Sequence, residues 1–212
     1  MTINLIDDSV IGSKNNKDHM KKRIIIAITG ATGSIYGTRL LEILQTVDEV
    51  ETHLILSNAG ALTAQYELNM DKQAITNLAD FTHNPKDIGA TLSSGSFITH
   101  GMVIAPCSMK TLGCIANGIA DNLVSRAADV ILKERRKLIV MARETPLNLV
   151  HLRNMTTLSE MGAIIAPPVP AFYTLPESID DLINHTVGRI LDTLDISNVD
   201  YVKRWQGIKD SA

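Results

Sequence analysis

Arg143 and Glu144 close the apolar run LIVMA and stand just ahead of Pro146. A guanidinium can fork two hydrogen bonds onto a phosphate, and a carboxylate beside it can carry a proton once a pocket wall raises its pKa. Pairing with neighbours at a surface is the other use of such residues, which rarely go inside unpaired. A second stretch with chemical potential is GATGS, Gly30 to Ser34. Glycine there lets backbone N–H groups and a helix N-terminus approach an anion. The stretch falls short of a full G-x-G-x-x-G fingerprint, and a plain glycine turn reads the same.

Ser57, Ser108 and Thr111 follow other apolar runs. Hydroxyls at such places commonly cap helices, and their recurrence at several strand ends points to a phosphate or polar ring edge nearby. Arg126 and Lys133 lie seven apart in DNLVSRAADVILKERRKL, two turns along one helical face, with Leu123, Val124, Ala127, Val130 and Ile131 as the packing stripe. Arg135 and Arg136 read as solvated charges closing that helix against its dipole. Tyr173 follows a proline-rich loop and Arg189 lies between Val187 and Ile190; unaided, these read as packing and surface residues.

The elements that must position these residues alternate in kind. RIIIAIT, ETHLILS, MVIAP, KLIVMA and AIIAP are short, β-branched and nearly unbroken, and each precedes a segment of helical period. That pattern predicts a single α/β, Rossmann-like (flavodoxin-like) domain, mainly parallel in its sheet, with helices on both faces. Ligands of such sheets sit beyond the carboxyl ends of the strands, where the residues above fall. Gly89, Ser93, Ser94, Gly95 and Ser96 mark a flexible loop. Residues 1–20 read as a loose polar extension, 21–207 as the domain and 208–212 as a tail.

Composition narrows the function classes. With 20% charged residues and a net charge of -3, neither nucleic acid nor an anionic membrane is the expected main partner. No apolar stretch approaches the roughly 20 residues that cross a bilayer. Cys107 and Cys114, seven apart, would share a helix face and read as buried, reduced thiols of a cytoplasmic protein. The histidines at 19, 53, 83, 100, 151 and 185 show no metal-ligand spacing, so no metal is expected. Met102, Met109, Met141, Met155 and Met161 read as core fillers, and Trp205 as an anchor for the tail.

Taken together, TGATGSIYG, ETHLILSNA, SSGSF, PCSMKTL, ADNLVSRAADVILKERRKL, ARETPLNLVHLRNM, GAIIAPPVPAFY and the final RW resemble the UbiX-type flavin prenyltransferases from about Arg23 to Gly207. Members were long labelled aromatic acid decarboxylases because their product serves a separate enzyme. The resemblance implies metal-independent transfer of a dimethylallyl group from dimethylallyl monophosphate to N5 and C6 of reduced FMN. The prenylated FMN would serve a UbiD-type decarboxylase. It implies flavin contacts at Gly30, Ala31, Thr32, Ser57, Ser108, Met109, Lys110, Thr111 and Arg143. The donor phosphate would be held by Lys133, Tyr173 and Arg189, with Arg126 and Arg143 close by, and Glu144 would move protons. Thr32 stands where many relatives carry serine, and Met109 and Lys110 fall in a variable stretch. A homododecamer is implied as well.

Three rival readings remain at this level. A flavin-dependent cysteine decarboxylase would carry a PASANT-like segment and a histidine after the first helix, where this chain has PCSMKT, Tyr36 and Arg39. A non-catalytic FMN-binding or delivery subunit would tolerate loss of the Glu144 carboxylate. Direct decarboxylation of phenolic acids would need no partner.

Overall fold

The computed structural model describes residues 21–196 and 207. Six strands, β1 (Lys22–Ile28), β2 (Val50–Leu56), β3 (Phe81–His83), β4 (Gly101–Cys107), β5 (Lys137–Ala142) and β6 (Ile164–Ile165), form one sheet in the order β3-β2-β1-β4-β5-β6. Every pairing is parallel; Ile24 lies opposite Thr52 on one side and Gly101 on the other. Without the short β3, the remaining order is that of flavodoxin-like sheets, and the strand order reverses between β1 and β4.

The strands are apolar on both faces because both are covered. Ile24, Ile26 and Ile28 join Val103, Ile139 and Met141 in a core under α1 (Ser34–Leu44) and α7 (Ile179–Thr193). Ile25 and Ala27 join Met102, Ile104 and Val140 in a second core under α4 (Met109–Ala116), α5 (Leu123–Lys133) and α6 (Leu149–Glu160). Leu40, Leu41 and Leu44 of α1 are essentially buried, each contributing about 1.5–3 kcal/mol. Gly37 lets α1 lie that close: a Cβ there would sit 2.3 Å from the Ala105 carbonyl oxygen. Two further helices, α2 (Asn58–Leu68) and α3 (Lys72–Thr76), follow β2.

Several expectations change. β3 spans three edge residues, two of them exposed, too few to show a period. The Gly/Ser segment is held rather than loose. Its turn at Thr91–Ser93 buries Leu92, and Arg136 donates to the carbonyls of Gly95 (2.7 Å) and Phe97 (3.0 Å). Arg136 is therefore a structural staple, 15% exposed, and not a solvated charge. Cys107 ends β4 while Cys114 lies within α4, so they share no helix face; both are free thiols. Met161, at 38% exposure, fills no core. The proposed extension (residues 1–20), Trp205 and the tail (208–212) lie outside the described residues.

Candidate functional site

A cleft of about 520 Å³ opens at the carboxyl ends of β1, β2 and β4, at the strand-order reversal. Thr29 ties its floor together: its Oγ1 donates to the Pro106 carbonyl (2.8 Å) and accepts from the Ser108 amide (2.8 Å). Three helices begin at this cleft, each with a side-chain cap. Ser57 accepts from the Gly60 amide (2.9 Å) at α2, Ser108 from the Thr111 amide (3.3 Å) at α4, and Asn122 from the Val124 amide (2.9 Å) at α5. Ser57 and Ser108 thus take the capping role foreseen as one alternative, and Ser108 Oγ also donates to Thr111 Oγ1 (3.1 Å). Capping leaves the remaining first-turn amides and three positive dipole ends directed toward one space, the arrangement that attracts an anion.

Gly30, Ser57, Ser108, Lys110 and Thr111 line this cleft, five of the nine residues expected to meet flavin. Lys110 is exposed and sits 3.8 Å from Asp121. Ala59, Pro85, Lys86 and Asn122 also line it and were not foreseen. The Asp-Asn pair ahead of the α5 stripe is a readable helix-start signal that would have found Asn122. Met109 is packed partly against the core beneath α4.

The glycine-rich turn behaves differently from expectation. Its amides at Gly33 and Ser34 donate to the Glu67 carboxylate of α2, at 3.0 Å each to Oε2. The anion at the start of α1 is therefore one of the chain's own side chains. Burial works to raise the Glu67 pKa, but hydrogen bonds from Thr32, Ser34 and Gly33 outweigh it and hold the carboxyl below its ordinary range. Thr32 consequently serves as a partner of Glu67 and does not line the cleft. No local pattern in QYEL announces this contact, which spans more than thirty residues.

Arg143 leaves β5 beside β4, its amide donating to the Cys107 carbonyl (3.1 Å). Its guanidinium lies near Tyr36 of α1: burial pushes the Tyr36 hydroxyl up, and Arg143 opposes that shift. Glu144 accepts from the Thr145 amide (3.0 Å) and is exposed. The described residues of one chain do not form the wall its proton-handling role requires.

The expected phosphate-holding residues are distributed, not gathered. α5 starts at the cleft with Asn122 and ends at Lys133, about 16 Å on at 1.5 Å per residue. There Lys133 pairs with Glu134. Arg126 pairs with Asp129 (2.7 Å) and donates to the Ser93 carbonyl (3.2 Å). Arg189 and Tyr173 belong to the opposite face of the sheet, with α7. The Tyr173 hydroxyl meets His185 (3.0 Å), and Arg189 pairs with Asp192 (2.9 Å). Lys137 donates to the Thr193 carbonyl (2.9 Å), tying the C-terminus of α7 to the amino-terminal edge of the sheet. Lys133 and Arg189 therefore stand on opposite faces of the sheet, each well along its helix from the end that starts near the strands' carboxyl ends. Among the described residues, no group of three or more His, Cys, Asp or Glu could hold a metal ion.

The Flavoprotein family model matches residues 12–195. Flavin prenyltransferase UbiX of Salmonella typhimurium is 55% identical over 187 residues, spanning 88% of this chain and 99% of its own length. The chain belongs to the UbiX-type flavin prenyltransferases. A crystal structure of AnUbiX in complex with FMN and dimethylallyl pyrophosphate aligns at a TM-score of 0.86 with 48% identity, covering 89% of this chain and 100% of that one. A dodecameric FMN-dependent UbiX-like decarboxylase from Escherichia coli O157:H7 aligns at 0.85 with 50% identity, over 87% and 100% of the two chains.

Proposed function

We propose that this protein joins a dimethylallyl group from dimethylallyl monophosphate to N5 and C6 of reduced FMN, making prenylated FMN for a UbiD-type decarboxylase. The observation that carries the reading is the convergence of three helix N-termini and two capping serines on a cleft at the carboxyl ends of β1, β2 and β4, with the Arg143 amide bonded to the end of β4. That donor set fits FMN: the dipole ends suit its phosphate, and the bare Gly30 and hydroxyl-lined wall suit a flat polar ring. Reduced flavin supplies the electron-rich nucleophile.

The chain's own residues supply the rest. Loss of phosphate from an allylic carbon builds negative charge on the leaving oxygen, and guanidinium and ammonium donors stabilise it most where charge develops. Such a cationic set can hold a monophosphate without a bridging divalent ion. Holding both reactants in contact can remove on the order of 7–11 kcal/mol from the barrier.

Because Lys133 and Arg189 lie on opposite faces of the sheet and none of Lys133, Tyr173 and Arg189 lines the cleft of their own chain, we assign them to the cleft of neighbouring copies. Arg126 would join Lys133, and Glu144 would gain its covering wall from the same contact. The homo-oligomer is then required for chemistry, and a dodecamer like that of the Escherichia coli relative is the expected form. No helix among the described residues is long and apolar enough to cross a membrane. With two free thiols, we place the reaction in the cytoplasm.

Purified protein given reduced FMN and dimethylallyl monophosphate without oxygen should yield a flavin heavier by one C5H8 unit. The pyrophosphate ester, run in parallel, should serve less well. A mass spectrum holding only FMN in both arms would reject the proposal, as would release of carbon dioxide from phenolic acids by this protein alone.

A further inference from the structure

Tyr173 is held by a residue that no motif points to. His185, one turn before Arg189 on α7, places its Nε2 3.0 Å from the Tyr173 hydroxyl, with the rings edge to face at 85° and centroids 5.5 Å apart. It is buried on the stretch of α7 that also buries Ile183 and Val187, where an apolar side chain would fill the space without a polar cost. Burying an imidazole there is unfavourable unless its nitrogens are satisfied. Burial holds the His185 pKa below its ordinary value, and Arg189 adds to the effect, so both favour the neutral ring.

A neutral imidazole has two tautomers, with opposite consequences for the phenol. With the proton on Nδ1, Nε2 accepts the tyrosine proton and the hydroxyl has nothing to donate elsewhere. With the proton on Nε2, His185 donates to the phenol oxygen, and the tyrosine directs its own proton onward. An anion beside Arg189 selects the second tautomer, because a hydrogen bond to a charged acceptor is roughly twice as strong as a neutral one and a donor chain polarises along its length.

We propose that His185 is a positioning residue for the prenyl donor: its Nε2–H orients the Tyr173 hydroxyl so that this hydroxyl donates to the donor's phosphate next to Arg189. The proposal rests on the reading that Tyr173 and Arg189 hold that phosphate.

The test is a double-mutant cycle on the intact oligomer, with anaerobic kinetics in reduced FMN and varied dimethylallyl monophosphate. His185→Leu should raise the donor KM about five- to tenfold while leaving FMN affinity unchanged. His185→Gln, whose amide N–H can reach the Nε2 position, should restore KM to within about twofold of the wild type. In a Tyr173→Phe background, His185→Leu should cause no further change. If the leucine variant does not fold, His185→Phe replaces it, keeping a ring without nitrogen.

An unchanged KM in the leucine variant overturns the proposal. So does an equal loss in the Tyr173→Phe background, or a glutamine variant no better than leucine; each would mean that the histidine only fills space. If Tyr173→Phe itself leaves KM unchanged, the donor role of Tyr173 falls together with this proposal. Formation of prenylated flavin reports separately on the reaction, so the two failures are distinguishable.

Discussion

Gly30 offers the sharpest test of how the cleft is built. It lines the cleft, and a Cβ added there would lie 2.5 Å from the Ala59 Cβ in the first turn of α2. Its backbone angles are ordinary, so the cost of Gly30→Ala is overlap alone. Both atoms are attached directly to backbone and cannot rotate away; α2 or the loop after β1 must move. Overpacking of this kind costs about 1–3 kcal/mol. For a chain of this length each kcal/mol lowers the melting midpoint by about 2–4 °C, which gives a drop of roughly 2–12 °C.

The compensating change is Ala59→Gly. With that methyl gone, the nearest atoms to the new Cβ would be Ala59 backbone atoms at 3.4 and 3.5 Å, ordinary contact distances. Glycine in α2 costs up to about 1 kcal/mol by itself. The double variant should therefore be more stable than the sum of its parts by about 1–3 kcal/mol. Thermal melts at matched protein and flavin concentration measure this, with flavin fluorescence titration alongside. FMN affinity should fall in Gly30→Ala and recover in the double variant. Additive effects, or a Gly30→Ala protein as stable as the wild type, would refute the proposed packing of α2 against the first loop.

Glu144→Gln should keep FMN bound while slowing formation of the prenylated product by about 10² to 10⁴, read by anaerobic mass spectrometry; turnover close to wild type would favour the carrier alternative. Lys133→Ala and Arg143→Ala should each be inactive as pure oligomers, yet mixed oligomers made by co-expression should regain activity, since some clefts then receive both side chains from different copies. Recovery failing in verified mixed oligomers would place both residues in one chain's cleft. His53 and His83, hydrogen-bonded to each other at 3.0 Å, both have pKa values lowered chiefly by burial. The unfolded chain then binds more protons once pH falls below about 6.5, so stability is full above that pH and declines as pH drops toward the folded values. The midpoint lost between pH 7.5 and 5.5 should shrink in His83→Gln, and an identical loss would remove the histidines as its cause.

Strand-forming runs, their parallel arrangement and the chemical interest of their carboxyl ends were all legible from the chain. Alternating β-branched runs and amphipathic helices have few other ways to bury their apolar atoms, and both cores follow that pattern residue by residue. The caps at Ser57 and Ser108 were readable for the same reason: an N-cap is a contact over three residues. Contacts across long separations were not readable. Glu67 at the start of α1, Arg136 under the serine loop and His185 against Tyr173 each depend on where whole elements come to rest. The phosphate-holding set shows the limit most clearly. Spacing places Arg126 and Lys133 on one face of a helix, but it does not say which side of the sheet receives that helix or toward which edge its end points. Tertiary packing set Lys133 and Arg189 on opposite faces, because each helix buries its own apolar stripe against the nearest strands.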